Sequence, residues 1–382
     1  MSITRRAALF GVLATTLVAS GSVAAAPAGA AATAGQARAW GYNWHGQLGD
    51  ASEVDQRRPV AVPDVTDAVA LAGGYDHTLA LRADGTVWAW GSNDQSQIGD
   101  GTPNDRLRPK RVPGLTGIVA IAAGAYHSMA LNSNGVVYAW GDNHFGQVGN
   151  GQEYDQNTPV PVVFGAVAIA AGDNHSMALY AGGTIAAWGA NNVGQLGDGT
   201  VEERRTPVGV ANVWNAVAIA GGGGHSLAVD TGGLVYSWGY NAQGQLGDGS
   251  TDNRPTAAHV SGLSNVVSVD AGGHHSIALR ADGTVATFGH NGDGQIGDGT
   301  TVQRDTPVTV PNLAGVKAIA AGYGHNTALL QGGTAVSWGW NQYGALGDGT
   351  ATNRRSPVAV SGLTGVAAIG AGYQHSLAVT TN

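Results

Sequence analysis

The stretch WGANNVGQLGDGT, residues 188–200, decides the fold, because near copies of it fill the chain. The same pattern begins at Trp40, Trp90, Trp140, Trp188, Trp238, Phe288 and Trp338, with spacings of 50, 50, 48, 50, 50 and 50 residues. A second signature, G-x-x-H followed mostly by Ser or Thr, places His77, His127, His175, His225, His275, His325 and His375 on the same period. A fixed period of this length marks an array of identical supersecondary units, each too small to bury its own apolar face.

Each unit reads as all-β. Val119 to Ala123 is a short apolar run ending at Gly124, which predicts a strand buried on both faces. His127 to Leu131 follows, then a turn at Asn134-Gly135, then Val136 to Trp140. Asp84-Gly85, Gly182-Gly183, Gly232-Gly233, Asp282-Gly283 and Gly332-Gly333 sit at the equivalent turn, where a tight hairpin needs positive φ. A segment such as Pro207-Val208 closes the unit. Four short strands in each of seven units predict a seven-bladed β-propeller, all-β with four-stranded blades. The chain stops soon after His375, and its first Trp-Gly strand has no His segment before it. An N-/C-terminal clasp is therefore expected to complete one blade and remove two free sheet edges.

Composition narrows the function. The chain has 62 Gly, 13 Pro and no Cys among 382 residues, with 12% charged residues and a formal net charge of −8. Hydrophobic content of 43% with little charge excludes disorder. The missing Cys excludes disulfide scaffolds, Cys-ligated zinc and thiol nucleophiles. The acidic balance excludes nucleic-acid binding through a cationic surface.

Residues 1–34 differ from the rest. Arg5 and Arg6 precede an apolar stretch from Ala7 to about Ala26, and Ala32-Thr33-Ala34 has the form of a cleavage site. That is the layout of a secretory signal, exported by the twin-arginine or Sec route and then removed. The domain expectation is thus a signal peptide over 1–34 and one propeller over 35–382. No membrane span remains after signal removal, and a secreted, extracellular monomer is expected.

The seven Trp/Phe-Gly…Gly-Gln-Leu-Gly-Asp-Gly segments and the seven Gly-x-x-His-Ser segments resemble the regulator of chromosome condensation repeat family, over residues 40–379. The resemblance implies a seven-bladed propeller. It also implies, as one alternative, guanine-nucleotide exchange on a small nuclear GTPase; exchange factors of the family are intracellular, whereas a leader is expected here. The family further includes secreted bacterial propellers, some of which inhibit β-lactamases by covering the active site. Inhibition of an extracellular enzyme is therefore a second alternative.

The repeated residues read as structural. Catalysis needs different groups converging on one spot, and seven equivalent histidines on seven blades do not supply that. An imidazole can instead tie neighbouring blades through one donor and one acceptor. The tryptophans, and Phe288 in their place, read as apolar wedges between sheets. Asp198, Asp248, Asp298 and Asp348 precede Arg204, Arg254, Arg304 and Arg354 at a fixed offset, and an ion pair or a solvated loop both fit. Residues 292–297 match G-x-G-x-x-G without a following helix, so no nucleotide site is read there. No metal site, cofactor or catalytic residue is expected. A propeller hydrolase or lyase would draw on loop acids such as Asp142, Asp173 and Asp293, which form no pair visible in the sequence.

Function in a pseudo-symmetric ring should lie where the copies differ. Strand alternation puts the G-x-x-H and W-G-x-N loops on one face. There the variable positions form an aromatic arc: Tyr323, Trp340, Tyr343, Tyr373, Tyr42, Trp44, His45, Tyr75, Tyr126, His144 and Phe145. The opposite arc carries only Tyr240 among small and polar residues. Tyr and Trp dominate binding hot spots and also stack on sugars. The leading expectation is a non-enzymatic propeller that binds an extracellular protein or a cell-wall polysaccharide through this arc.

Overall fold

The structure, a computed structural model, describes residues 33–381 and the short strand Ser22–Ala24. The expected leader otherwise lies outside the described residues. Ser22–Ala24 runs antiparallel beside an innermost strand, with Ser22 opposite Ala170 and Ala24 opposite Ala168.

The described residues form seven four-stranded antiparallel blades and no helix, a β-propeller. Blade one runs outward from the axis as Ala68–Gly73, His77–Arg82, Val87–Gly91 and Arg106–Arg111. Blades two to six repeat this order. Their innermost strands are Ile118–Ala123, Ala166–Ala171, Ala216–Gly221, Val266–Ala271 and Val316–Ala321. Blade seven is the expected clasp. Val366–Ala371 and His375–Thr380 come from the C-terminus, and Gln36–Gly41 and Gln56–Ala61 from the N-terminus. Trp40 lies opposite Ser376 across the seam, as Trp90 lies opposite Thr78 within blade one.

The Trp-Gly pair has a backbone cause. Gly189 has φ of 106°, and a Cβ there would stand 2.5 Å from the Asn174 carbonyl oxygen. The ladder to the outermost strand shifts register beside it, between Ala187 and Gly189. Only glycine takes this conformation without strain, so each third strand ends on it.

The core lies between blades. Trp238 of blade four packs with Leu196, Met177 and Leu179 of blade three. Its indole N–H donates to the Gln195 carbonyl at 2.9 Å. The six repeat tryptophans and Phe288 are fully buried, each worth roughly 4–6 kcal/mol at about 25 cal/mol per Å². The innermost strands are buried on both faces along most of their length, as at Ala120, Ile121 and Ala122, and open only near their start, where Val119, Val217 and Val267 are exposed.

Candidate functional site

Two closed rings of hydrogen bonds hold the loop face together. Around the axis, the backbone N–H of Tyr75 donates to Ala125 O, Ala125 to Asp173 O, and Asp173 to Gly222 O. Gly223 donates to Gly272 O, Gly273 to Tyr323 O, Tyr323 to Tyr373 O, and Tyr373 back to Gly74 O. The second ring is the histidine set. His77 Nε2 meets Ser128 Oγ at 3.0 Å, His127 meets Ser176 at 2.9 Å, and His175 meets Ser226 at 2.8 Å. His225 meets Ser276 at 2.9 Å, His275 meets Asn326 Oδ1 at 3.0 Å, and His325 meets Ser376 at 2.8 Å. His375 closes the circle on Thr78 at 2.9 Å. All seven imidazoles are fully buried. A Cβ on Gly172 would stand 2.1 Å from His175 Cε1, which explains the glycine three residues before each histidine. The histidines therefore tie neighbouring blades together.

The Asp–Arg expectation also resolves. Arg204 pairs with Asp198 at 2.8 Å, Arg304 with Asp298 at 2.5 Å and Arg354 with Asp348 at 2.7 Å; Arg254 pairs with Asp248. A fifth pair, Arg106–Asp100 at 2.5 Å, follows the same offset.

The variable residues sit above these rings. Tyr126 stacks on Tyr75 at 5.4 Å, Tyr75 on Tyr373 at 3.8 Å, and Tyr373 on Tyr323 at 3.9 Å. The row continues edge-on to His274 at 5.4 Å and then to Tyr240 at 5.6 Å. A second group lies outside it. Trp44 stacks on Tyr42 at 6.0 Å, Tyr42 meets Tyr343 at 4.8 Å, and Tyr343 meets Trp340 at 5.8 Å. His144 and Phe145 form a third contact at 5.0 Å. His45 pairs with Asp105 at 3.2 Å. Most of the arc is thus half-buried by mutual stacking. Trp44 is 67% exposed and Phe145 36% exposed, and His144 is exposed beside it.

His274 was not singled out in the sequence, although it joins Tyr240 to the tyrosine row. Its position after a repeated glycine was the available signal. Tyr154, 76% exposed, was also missed, because it lies in the long connection beyond both signatures.

Burial raises four carboxyls above their ordinary value: Asp55, Asp155, Asp76 and Asp173. Burial pushes Asp76 up to about 6, with His45 opposing and Asp94 and Asp105 adding to the rise. Burial pushes Asp173 up to about 6 as well. Burial and the neighbouring Tyr75 and Tyr323 raise the Tyr373 hydroxyl.

The three loop acids considered for hydrolysis line different cavities. Asp173 edges the small axial opening of about 70 Å³. Asp142 lines a cleft of about 710 Å³ with Asp94, Glu153 and Asp155. Asp293 lines a cavity of about 360 Å³ near Trp340. Both Asp142 oxygens are already engaged, by His144 N at 3.0 Å and Gln147 Nε2 at 2.8 Å. Among the described residues, no group of three or more His, Cys, Asp or Glu is placed to hold a metal, and no helix is long and apolar enough to cross a membrane.

Comparison with known proteins agrees with this architecture. Human WBSCR16 superposes with a TM-score of 0.82 at 25% identity, covering 91% of this chain and 99% of that one. Prp20p from Saccharomyces cerevisiae, described together with its binding to Gsp1p and histones, gives a TM-score of 0.81 at 27% identity, with 92% of each chain covered. The same yeast protein bound to Kap60 gives 0.83 at 26% identity, covering 100% of this chain and 97% of that one. No curated protein sequence matches. The regulator of chromosome condensation (RCC1) repeat matches residues 282–329 and 333–379. Because the RCC1-like domain also matches residues 11–267, more than half of its length, the chain belongs to the RCC1-like domain family.

Proposed function

We propose that the chain is a non-enzymatic binding propeller that recognises a protein partner through its aromatic loop face, and that it acts outside the cell after its leader directs export. The observation that carries this reading is the exposed pair Trp44 and Phe145, on the face that also carries the stacked tyrosine row. Large aromatics already held by stacking lose little side-chain freedom when a partner covers them, which is why such residues dominate hot spots. The binding of yeast Prp20 to Gsp1p, histones and Kap60 supports a protein as the partner class. The extracellular setting rests on the leader pattern in residues 1–34.

The test is affinity capture from culture supernatant and cell-wall extract, with the wild-type protein and a Trp44→Ala/Phe145→Ala variant as baits. The variant should retain about tenfold less of the partner, since each hot-spot truncation costs 1 kcal/mol or more. Its thermal midpoint should stay within about 2 °C, because neither side chain is in the core. Equal retention by both baits overturns the reading.

A further inference from the structure

We propose that the cavity between blades five and six, beside Trp340, binds a single pyranose ring of a glycan. The cavity of about 360 Å³ is lined by Trp340, Tyr323, Tyr373, His290, Asp293 and Gln295, with His274 at its edge. It is open beside Trp340 because a side chain is missing at Gly324. Gly324 stands where the other blades carry Asp76, Tyr126, Asn174, His274 and Gln374, with Gly224 the one further exception. A Cβ on Gly324 would lie 3.2 Å from Trp340 Cβ, so a longer side chain there would fill the space beside the indole. Gly292 likewise replaces residues such as Trp44 and His144. Its absent Cβ would lie 2.9 Å from His290 Nε2.

The lining has a definite chemistry. Gln295 Nε2 donates to His290 Nδ1 at 2.8 Å, so the neutral imidazole carries its proton on Nε2, on the side that Gly292 leaves uncovered. Asp293 accepts from Asn353 Nδ2 through one oxygen at 2.9 Å and supplies the only carboxylate of the lining. The lining contains no Lys or Arg. Tyr373 is stacked by Tyr75 at 3.8 Å and by Tyr323 at 3.9 Å. Those ring faces are spent on one another, the Tyr323 hydroxyl meets His274 Nε2 at 3.1 Å, and the Tyr373 hydroxyl bonds with Tyr75 and Tyr323, so the tyrosines offer mainly their edges. A cation over the single indole face beside Asp293 is the competing occupant, and the comparison probe below distinguishes it. One indole wall with an imidazole donor and a carboxylate acceptor beside it suits a neutral ring with one C–H face and a rim of hydroxyls.

This inference goes beyond the protein-binding reading and does not rest on it, since the capture experiment is read at Trp44 and Phe145. The test is saturation-transfer NMR on the full chain. The probes are methyl β-glucopyranoside, methyl N-acetyl-β-glucosaminide and methyl α-mannopyranoside, with N-acetylargininamide as the cationic comparison, each at about 20 mM to reach weak affinities. At least one glycoside should receive saturation, and Gly324→Gln should lower the transfer about fivefold or more. That variant copies the Gln374 side chain of the next blade, so it fills the cavity without removing a wall. Trp340→Ala should have the same effect. No transfer to any glycoside, transfer unchanged in Gly324→Gln, or transfer to N-acetylargininamide alone overturns the proposal.

Discussion

Each ring histidine has its tautomer set by its neighbour. Ser226 Oγ donates its only proton to the Gln195 carbonyl at 2.8 Å, so it accepts from His175, whose Nε2 must carry the hydrogen. Asn326 reproduces this with two atoms: Nδ2 donates to Gln295 O at 2.8 Å and Oδ1 accepts from His275. Burial holds His77, His127, His325 and His375 down near 3 and His175 and His275 near 4, and it holds His225 well below the ordinary value. The unfolded chain takes up these protons near pH 6.5 and the folded chain does not. Histidine-dependent stability is therefore complete above about pH 6.5 and falls as pH drops toward 4. Asp76 and Asp173, raised to about 6, act in the opposite sense: their contribution is complete below the unfolded carboxylate value and is lost as pH rises through 6. The seven histidines outweigh the two carboxyls, so unfolding takes up protons near pH 5. The pH dependence of the urea midpoint should show this steep acid loss, and a flat profile from pH 5 to 7 would contradict it.

At the scale of the element, the loop after each Trp-Gly strand is organised by one buried asparagine. Asn241 Oδ1 accepts from Leu246 N at 2.9 Å, while Nδ2 donates to Ser250 O at 3.1 Å and Asp248 Oδ1 at 3.2 Å. Asp248 in turn pairs with Arg254 at the start of the outermost strand. The asparagine thus fixes the turn that presents Gln245 O to Ser276 of blade five. Asn241→Ala leaves a buried Leu246 N–H without an acceptor, at a cost of about 2 kcal/mol. Equilibrium urea unfolding checks this, and the change should be several times that of an exposed control such as Thr251→Ala. These hubs were only partly legible. The Asp–Arg offset was visible in the sequence, but the asparagine reads as a loop residue until its three partners are seen together.

At the scale of the whole molecule, the ring is closed by backbone pairing instead of covalent bonds. Gln36–Gly41 pairs along its length with His375–Thr380, and Trp40 donates to Ala345 O at 2.8 Å across the blade-six boundary. Leu377 and Val379 share a buried cluster with Ala37, Ala39 and Trp90 of the neighbouring strands. Deleting residues 33–61 removes both outer strands of blade seven. It exposes that cluster and leaves an open sheet edge, so the truncated chain should aggregate or unfold below the wild-type midpoint. Size-exclusion chromatography and thermal melts read the outcome, and a monomeric truncation with an unchanged midpoint would contradict the clasp as the stabilising closure.

The sequence by itself determined the blade count, the clasp, the roles of the repeated Trp, His and Gly, and the face on which the variable loops gather. Those follow from periodicity and strand alternation, which are local and are repeated seven times over. Tertiary structure decided which variable residues stack and which stay exposed. Tyr75, Tyr323 and Tyr373 are about 50 or more residues apart in the chain, yet they share one row because blades bring their inner loops to a common axis. It also decided that Asp142, Asp173 and Asp293 face different cavities, and that Gly324 leaves a pocket open beside Trp340. Contacts between blades depend on the closed geometry of the ring, and no single repeat contains them.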